Sequence, residues 1–214
     1  ADAAAIERAV AAVKRHMLNC FPNDPNAPRL KHPAVAESRL ITPYFAHFAL
    51  DAMWRCGETE FALEQFRVCW GWMLDQGATT LLEVFDTGWS HCHAWSAGPT
   101  WQLSRHVLGL LPDDSGDPCR FAWEPKTGAL QHAEGRLPFH GKAGSIDVRW
   151  ERPDGGAWLI YELTTDSPIE IQFPASGYEL ADCRVDESPV DVAGGVTVTV
   201  HRSLALSWRE ICRR

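Results

Sequence analysis

Apolar residues recur every three or four positions in the first half of the chain and every second position in the second half. Ile6, Val10, Val13 and Met17 fall on one stripe, which predicts an amphipathic helix from Asp2 to about Asn19. Pro22, Pro25, Pro28 and Pro33 follow, and so dense a run of prolines predicts a loop or extended segment. Thr42-Pro43 reads as an N-cap followed by proline at the first helical position, with Gly57 as the stop, so a second helix is expected over about 43–56. A third is expected over about 60–75, with Phe61, Phe66, Trp70 and Met73 toward the core and Gly77 beyond its end. Residues 78–95 are polar and aromatic without a clear period and read as a long loop. Pro99 opens a fourth helix that closes near Gly109.

Past Pro112 the period falls to two. Ile146, Val148 and Trp150 alternate, as do Ile169, Ile171 and Phe173, and Val196, Val198 and Val200. Turn-forming stretches at 153–156, 174–177 and 194–195 separate these runs, which together predict an antiparallel β-sandwich. The polar run Asp113 to Pro118 reads as a linker. The expected fold class is therefore α+β in two domains, residues 1–112 helical and residues 118–214 a sandwich. The helical stripes are broad and aromatic, more than four helices can cover among themselves. Two readings stay open: a small bundle complete in itself, or part of a larger helical assembly.

Composition narrows the class. With 45% apolar and 22% charged residues the chain has an ordinary globular balance, so a packed core is expected. A formal charge of −8 argues against a nucleic-acid partner, which calls for a basic face. No apolar run reaches the roughly 18 residues of a membrane span. The N-terminus has neither a basic start nor an apolar stretch, so no signal peptide is expected, and its lack of an initiator Met fits a piece of something longer. Seven cysteines at irregular spacings, none in a C-x-x-C pair, point to thiols in a reducing compartment, with the cytoplasm as the expected location. Ten tryptophans are the outlier; Trp fills cores, and it also stacks on the apolar face of sugars.

Candidate chemistry concentrates in the loop. Glu83 lies just past a helix end among aromatic residues, where a carboxylate stays wet enough to be ionised and can deprotonate water. The plainer alternative is a solvated loop acid, and Asp86 is a weaker candidate for the same role. His91-Cys92-His93 raises the question of metal, but ligands at i and i+2 without a distant second pair are weak grounds for zinc. Trp89 and Trp95 flank the histidines and are placed either to stack on a substrate or, for Trp95, to pack under the Pro99 helix. Ala94 to Gly98 lacks the G-x-S-x-G pattern of a serine hydrolase.

Three stretches carry a family resemblance. Thr42-Pro43-Tyr44-Phe45 through Ala52 resembles a barrel helix of bacterial α-L-rhamnosidases. Gly71-Trp72-Met73-Leu74-Asp75-Gln76-Gly77-Ala78-Thr79-Thr80-Leu81-Leu82-Glu83 is similar to their "W-G-x-M-L-x-x-G-A-T-T-x-W-E" segment. Ser90 to Thr100, running into Leu103-Ser104-Arg105, is similar to their "S-x-x-H-x-W-S-A-G-P-x-x-x-L-x-R" segment. Gly109 to Pro112 and Ala133-Glu134-Gly135 resemble the start of the family's C-terminal β-domain. The resemblance spans about residues 40–152 and departs from the pattern at Leu82, where the family often has an aromatic wall.

The resemblance implies the C-terminal portion of an (α/α)6 barrel followed by a β-sandwich. It implies a glycoside hydrolase that removes terminal α-L-rhamnose with inversion, which requires two carboxyl groups with a water between base and sugar. Glu83 aligns with the general base, and His93 with the histidine that contacts sugar hydroxyls, for which imidazole offers a donor and an acceptor. The family's general acid lies in an earlier acidic motif that nothing before Glu83 resembles. The chain alone is therefore expected to be inactive, a fragment or one piece of a split enzyme. The expected partners are a rhamnose-containing glycoside and either the missing N-terminal half or a second copy. No metal or other cofactor is expected. The competing class is a non-catalytic carbohydrate-binding or structural module derived from that family.

Overall fold

A computed structural model describes residues 2–27, 41–192 and 195–211. Pro28, Pro33, Gly194 and, of the seven cysteines, Cys212 lie outside the described residues. The fold is α+β and divides into two units, Ala1–Gln102 and Leu103–Arg214.

The first unit holds α1 (Ala3–Leu18), α2 (Pro43–Arg55) and α3 (Thr59–Gln65), at the positions the periodicity predicts. The Asp2 carboxylate caps α1 by accepting the Ala4 N–H, and Thr42 Oγ1 caps α2 by accepting the Phe45 N–H at 3.2 Å. Pro43 occupies the first turn, where a missing N–H costs nothing. Beyond α3 the chain winds through a π-turn, Phe66–Trp70, into α4 (Gly71–Asp75). Phe66, Cys69, Trp70 and Met73 are all buried, whereas Phe61 is half-buried under the Lys14 ammonium, 5.4 Å from its ring centroid. Ala46, Leu50 and Trp54 of α2 complete this core with no exposure at all. The unit ends in α5 (Gly98–Gln102).

In the second unit a π-turn, Leu103–Val107, leads to Gly109, whose positive φ of 76° turns the chain from helix to strand. The strands are β1 (Leu110–Pro112), β2 (Arg120–Trp123), β3 (His132–Pro138), β4 (Ser145–Glu151), β5 (Leu159–Thr165), β6 (Ile169–Gln172), β7 (Tyr178–Val185), β8 (Ser188–Pro189), β9 (Thr197–Val200) and β10 (Ser203–Glu210). They form a sheet of order β1-β2-β6-β9 and a larger one of order β3-β4-β5-β10-β7-β8. Burial alternates along β4, β5 and β10 as a two-residue period requires. The inner faces meet at Trp123 of β2, whose ring lies 5.6 Å from Tyr161 of β5 and 5.2 Å from Trp208 of β10. Much of the tryptophan excess is thus core.

Two expectations need correction. The smaller sheet is mixed rather than antiparallel: β2 and β6 run parallel, with Phe121 opposite Ile171. Three strands of the other sheet intervene between β2 and β6, so the chain returns by a crossover that permits either direction. The Asp113–Pro118 stretch is the turn of the β1–β2 hairpin and not a linker. Asp113 Oδ1 accepts the Ser115 N–H at 3.0 Å, and the Asp113 N–H reaches back to the Arg120 carbonyl at 3.1 Å. The division between units falls earlier, at Gln102 and Leu103, because the last helical turn is tied to the sheets. Trp150 Nε1 donates to the Val107 carbonyl at 2.8 Å and Tyr161 OH to the Leu108 carbonyl at 3.1 Å.

Candidate functional site

The loop after α4 folds back on itself, and this positions the candidate residues. The Glu83 N–H donates to the Ser90 carbonyl at 2.9 Å and the His93 N–H to the Leu81 carbonyl at 3.0 Å, so two arms run side by side. Leu82, Val84 and Phe85 are buried, with Phe85 edge-on to Trp70 at 5.7 Å between ring centroids. Alternation then turns Glu83 outward from the arm that Leu82 and Val84 anchor. Leu82 has no exposed surface and forms the floor under that arm.

At the tip, the Asp86 carboxylate accepts the Gly88 N–H at 2.9 Å and the Asp86 carbonyl accepts the Trp89 N–H at 3.4 Å. Asp86 thus holds a turn. Trp89 stands half-buried in that turn. His91 Nε2 lies 2.8 Å from the Thr87 carbonyl; a carbonyl only accepts, so this nitrogen carries the proton. His91 thereby braces the tip. Among the described residues no group of three His, Cys, Asp or Glu side chains is disposed to hold a metal ion. Nor is any described helix long and apolar enough to cross a membrane.

Glu83, His93 and Trp95 come together. His93 Nε2 lies 3.5 Å from Glu83 Oε2, and each of these side chains is about a quarter exposed. The His93 ring sits 4.4 Å from the Trp95 ring, tilted by 49°. Trp95 is 47% exposed, an open aromatic face beside a carboxylate and an imidazole. Among the described residues no N–H or O–H donates to the Glu83 carboxylate at hydrogen-bonding distance, so its oxygens are available to accept from water. The arrangement offers a base, a hydroxyl partner and a stacking surface within one cluster.

Sequence reasoning missed the residues that hold this cluster. Ser96 is fully buried; its Oγ donates to the Leu82 carbonyl at 2.6 Å, and its own carbonyl accepts Trp70 Nε1–H at 2.7 Å. It therefore pins the Glu83 arm to the π-turn. Gln102, also fully buried, links Trp54 to His47. A polar side chain on the inward face of the Pro99 helix was the available signal.

Neither a family model nor a curated protein matches the chain. No helix barrel is evident from the described helices alone. Among solved structures the chain is similar to an α-L-rhamnosidase of Streptomyces avermitilis complexed with L-rhamnose, with a TM-score of 0.52 and 18% identity. The similarity covers 76% of this chain and 17% of that one, so the chain spans under a fifth of that enzyme's length. At this identity the likeness is one of fold: this chain is a distant structural relative of part of a glycoside hydrolase.

Proposed function

We propose that this chain is the C-terminal part of an α-L-rhamnosidase, an inverting glycoside hydrolase, and that Glu83 is the general base. The observation that carries the reading is the cluster in which Glu83 Oε2 lies 3.5 Å from His93 Nε2, with Trp95 over the histidine. The motif resemblance around these residues and the distant likeness of fold support it. In this reading the helical unit belongs to an (α/α)6 barrel whose remainder, with the general acid, lies outside this chain. The sheet unit is the C-terminal sandwich.

The chemistry follows from the geometry an inverting hydrolysis requires. Glu83 takes a proton from water as the water oxygen bonds to the anomeric carbon. The bond from that carbon to the leaving oxygen breaks on the opposite face, and the leaving oxygen takes a proton from the distant acid. His93 contacts the sugar hydroxyls, and Trp95, with Trp89 as a second candidate, stacks on the sugar. No cofactor is required.

A second reading, a carbohydrate-binding module that has lost catalysis, draws on one observation. The cluster contains one carboxylate, and the nearby Asp86 is occupied in capping its turn. The test is to restore an N-terminal barrel portion, covalently or in trans, and measure hydrolysis of a nitrophenyl rhamnoside. The isolated chain is expected to be inactive, and restoration to recover turnover. In the restored enzyme Glu83→Gln is expected to lower kcat at least about 100-fold while L-rhamnose still binds. Near-normal turnover of that variant removes Glu83 from the mechanism. Binding of L-rhamnose with no turnover after restoration favours the module.

A further inference from the structure

The outer face of the larger sheet carries a groove of about 790 Å³ across β3, β4, β5 and β10. A hollow of about 250 Å³ adjoins it on the side of Ile160, and Glu134, Arg149 and Glu162 line both. Strand pairing sets this face in rows. One row runs Arg136, Asp147, Thr164, Ser203, and the next Glu134, Arg149, Glu162, Ala205; a third ends in Glu151, Ile160 and Ser207. Small side chains on β10 keep the floor low, while longer ones on β3, β4 and β5 form a wall.

The polar groups of the wall are largely matched to one another. Arg136 forks onto Asp147, Nε to Oδ1 at 2.7 Å and Nη2 to Oδ2 at 3.2 Å. Arg149 donates from Nε to the Glu162 carboxylate, and its guanidinium carries further N–H groups on a side chain that is 71% exposed. The two hollows hold four carboxylates against two guanidinium groups, both already paired, so an anion meets no free guanidinium among the lining residues. An apolar patch closes the groove at one end. Ile160 is 39% exposed, and Arg209, facing outward on β10, lies 5.1 Å over the half-buried Trp158 ring, which puts that ring on the same face.

The geometry points to this face as a second binding site, one that takes a neutral oligosaccharide. A sugar hydroxyl both donates and accepts, so it bridges an Arg149 N–H and the carboxylates of Glu134 or Glu162 without breaking an ion pair. Ile160 and Trp158 supply the apolar contact that the C–H face of a sugar ring requires. The rows lie two residues apart, so the run from Ser203 to Arg209 is about 20 Å, room for several sugar rings. The groove is the size of a small-ligand site, roughly 300–1,000 Å³. A protein partner calls instead for about 800 Å² per side around an apolar centre, and the centre of this face is Arg149 with its carboxylates. The site belongs to the sheet unit alone and does not depend on Glu83 or His93.

The test is affinity electrophoresis of the full chain in gels that each hold one polysaccharide: neutral rhamnan, mannan or galactan, or acidic polygalacturonate. At least one neutral polysaccharide is expected to retard the chain, and polygalacturonate is not. Arg149→Ala, which loses the central donor, and Ala205→Phe, which fills the floor, are each expected to weaken that retention at least about tenfold. Circular dichroism establishes that each variant is folded. His93→Ala, which disables the loop cluster, is expected to leave the retention intact. Retardation by no neutral polysaccharide, or retardation that survives both groove variants, overturns the inference and leaves the reading of Glu83 standing. Loss of retention in His93→Ala assigns the sugar to the loop and overturns it too, as does stronger retention by polygalacturonate. Binding of polylysine in place of any neutral polysaccharide, lost on Glu134→Gln with Glu151→Gln, would make this a face for a basic polypeptide.

Discussion

The Ser96 hydroxyl is a small group with a large share in the site. It is fully buried and satisfies the Leu82 carbonyl immediately before Glu83, so its removal leaves a buried acceptor without a donor. Ser96→Ala is expected to destabilise the helical unit by about 1–3 kcal/mol, as read by chemical denaturation. It should also speed hydrogen exchange at the Glu83 and His93 amides, and unchanged exchange there would dismiss the clamp. Asp186 illustrates a different setting, a half-buried carboxylate in a turn. It accepts backbone N–H groups from His201, Arg202 and Ser203 at 2.7–3.0 Å, and these donors hold its pKa below the ordinary aspartate value. Ionised Asp186 is thus favoured in the folded state. Its contribution is present above the unfolded value and lost as pH falls through the folded one, a window below about pH 4. Asp186→Asn should flatten the acid limb of the stability profile, and an unaltered limb would rule the contacts out. Neither residue was legible in advance. A serine inside a motif, or an aspartate in a turn, shows its role only when its distant partners are known.

At the scale of elements, the sequence was most readable where one local period ruled. The cap at Thr42, the stripe of α1 and the alternation of β4 and β6 were all visible in it. What escaped was what depends on distant chain. The helix expected over 60–75 carries a π-turn that its regular apolar spacing does not announce, and the pairing of β2 with β6 joins segments almost fifty residues apart. Gly109 stands at the change of period. Its φ is 76°, and an added Cβ would lie 2.4 Å from Pro125 Cα, a backbone atom that cannot swing aside. Gly109→Ala is therefore expected to cost at least about 2 kcal/mol, seen as a lower thermal midpoint with the same helix and strand content. A midpoint within a degree of wild type would show the turn can relax.

For the molecule as a whole, the change from helix to strand was plain in the sequence, but the place of division was not. A polar, glycine-containing stretch after Pro112 looks like a linker, yet the same composition serves a hairpin turn, and only the bonds of Trp150 and Tyr161 to residues 107 and 108 show where the second unit begins. The candidate loop stood out in the sequence because its residues are unlike their surroundings.

The strand order of the larger sheet bears on how the chain is made. Its last strand, β10, lies in the interior between β5 and β7, paired with β5 from Ser203 and with β7 from Leu204. On the ribosome, β5 and β7 emerge and wait with bare edges until that final strand arrives. A stop codon just before Ser203 would leave two open edges and the inner aromatic layer without Trp208. Messages cut short there should yield insoluble product rather than a slightly shorter soluble protein.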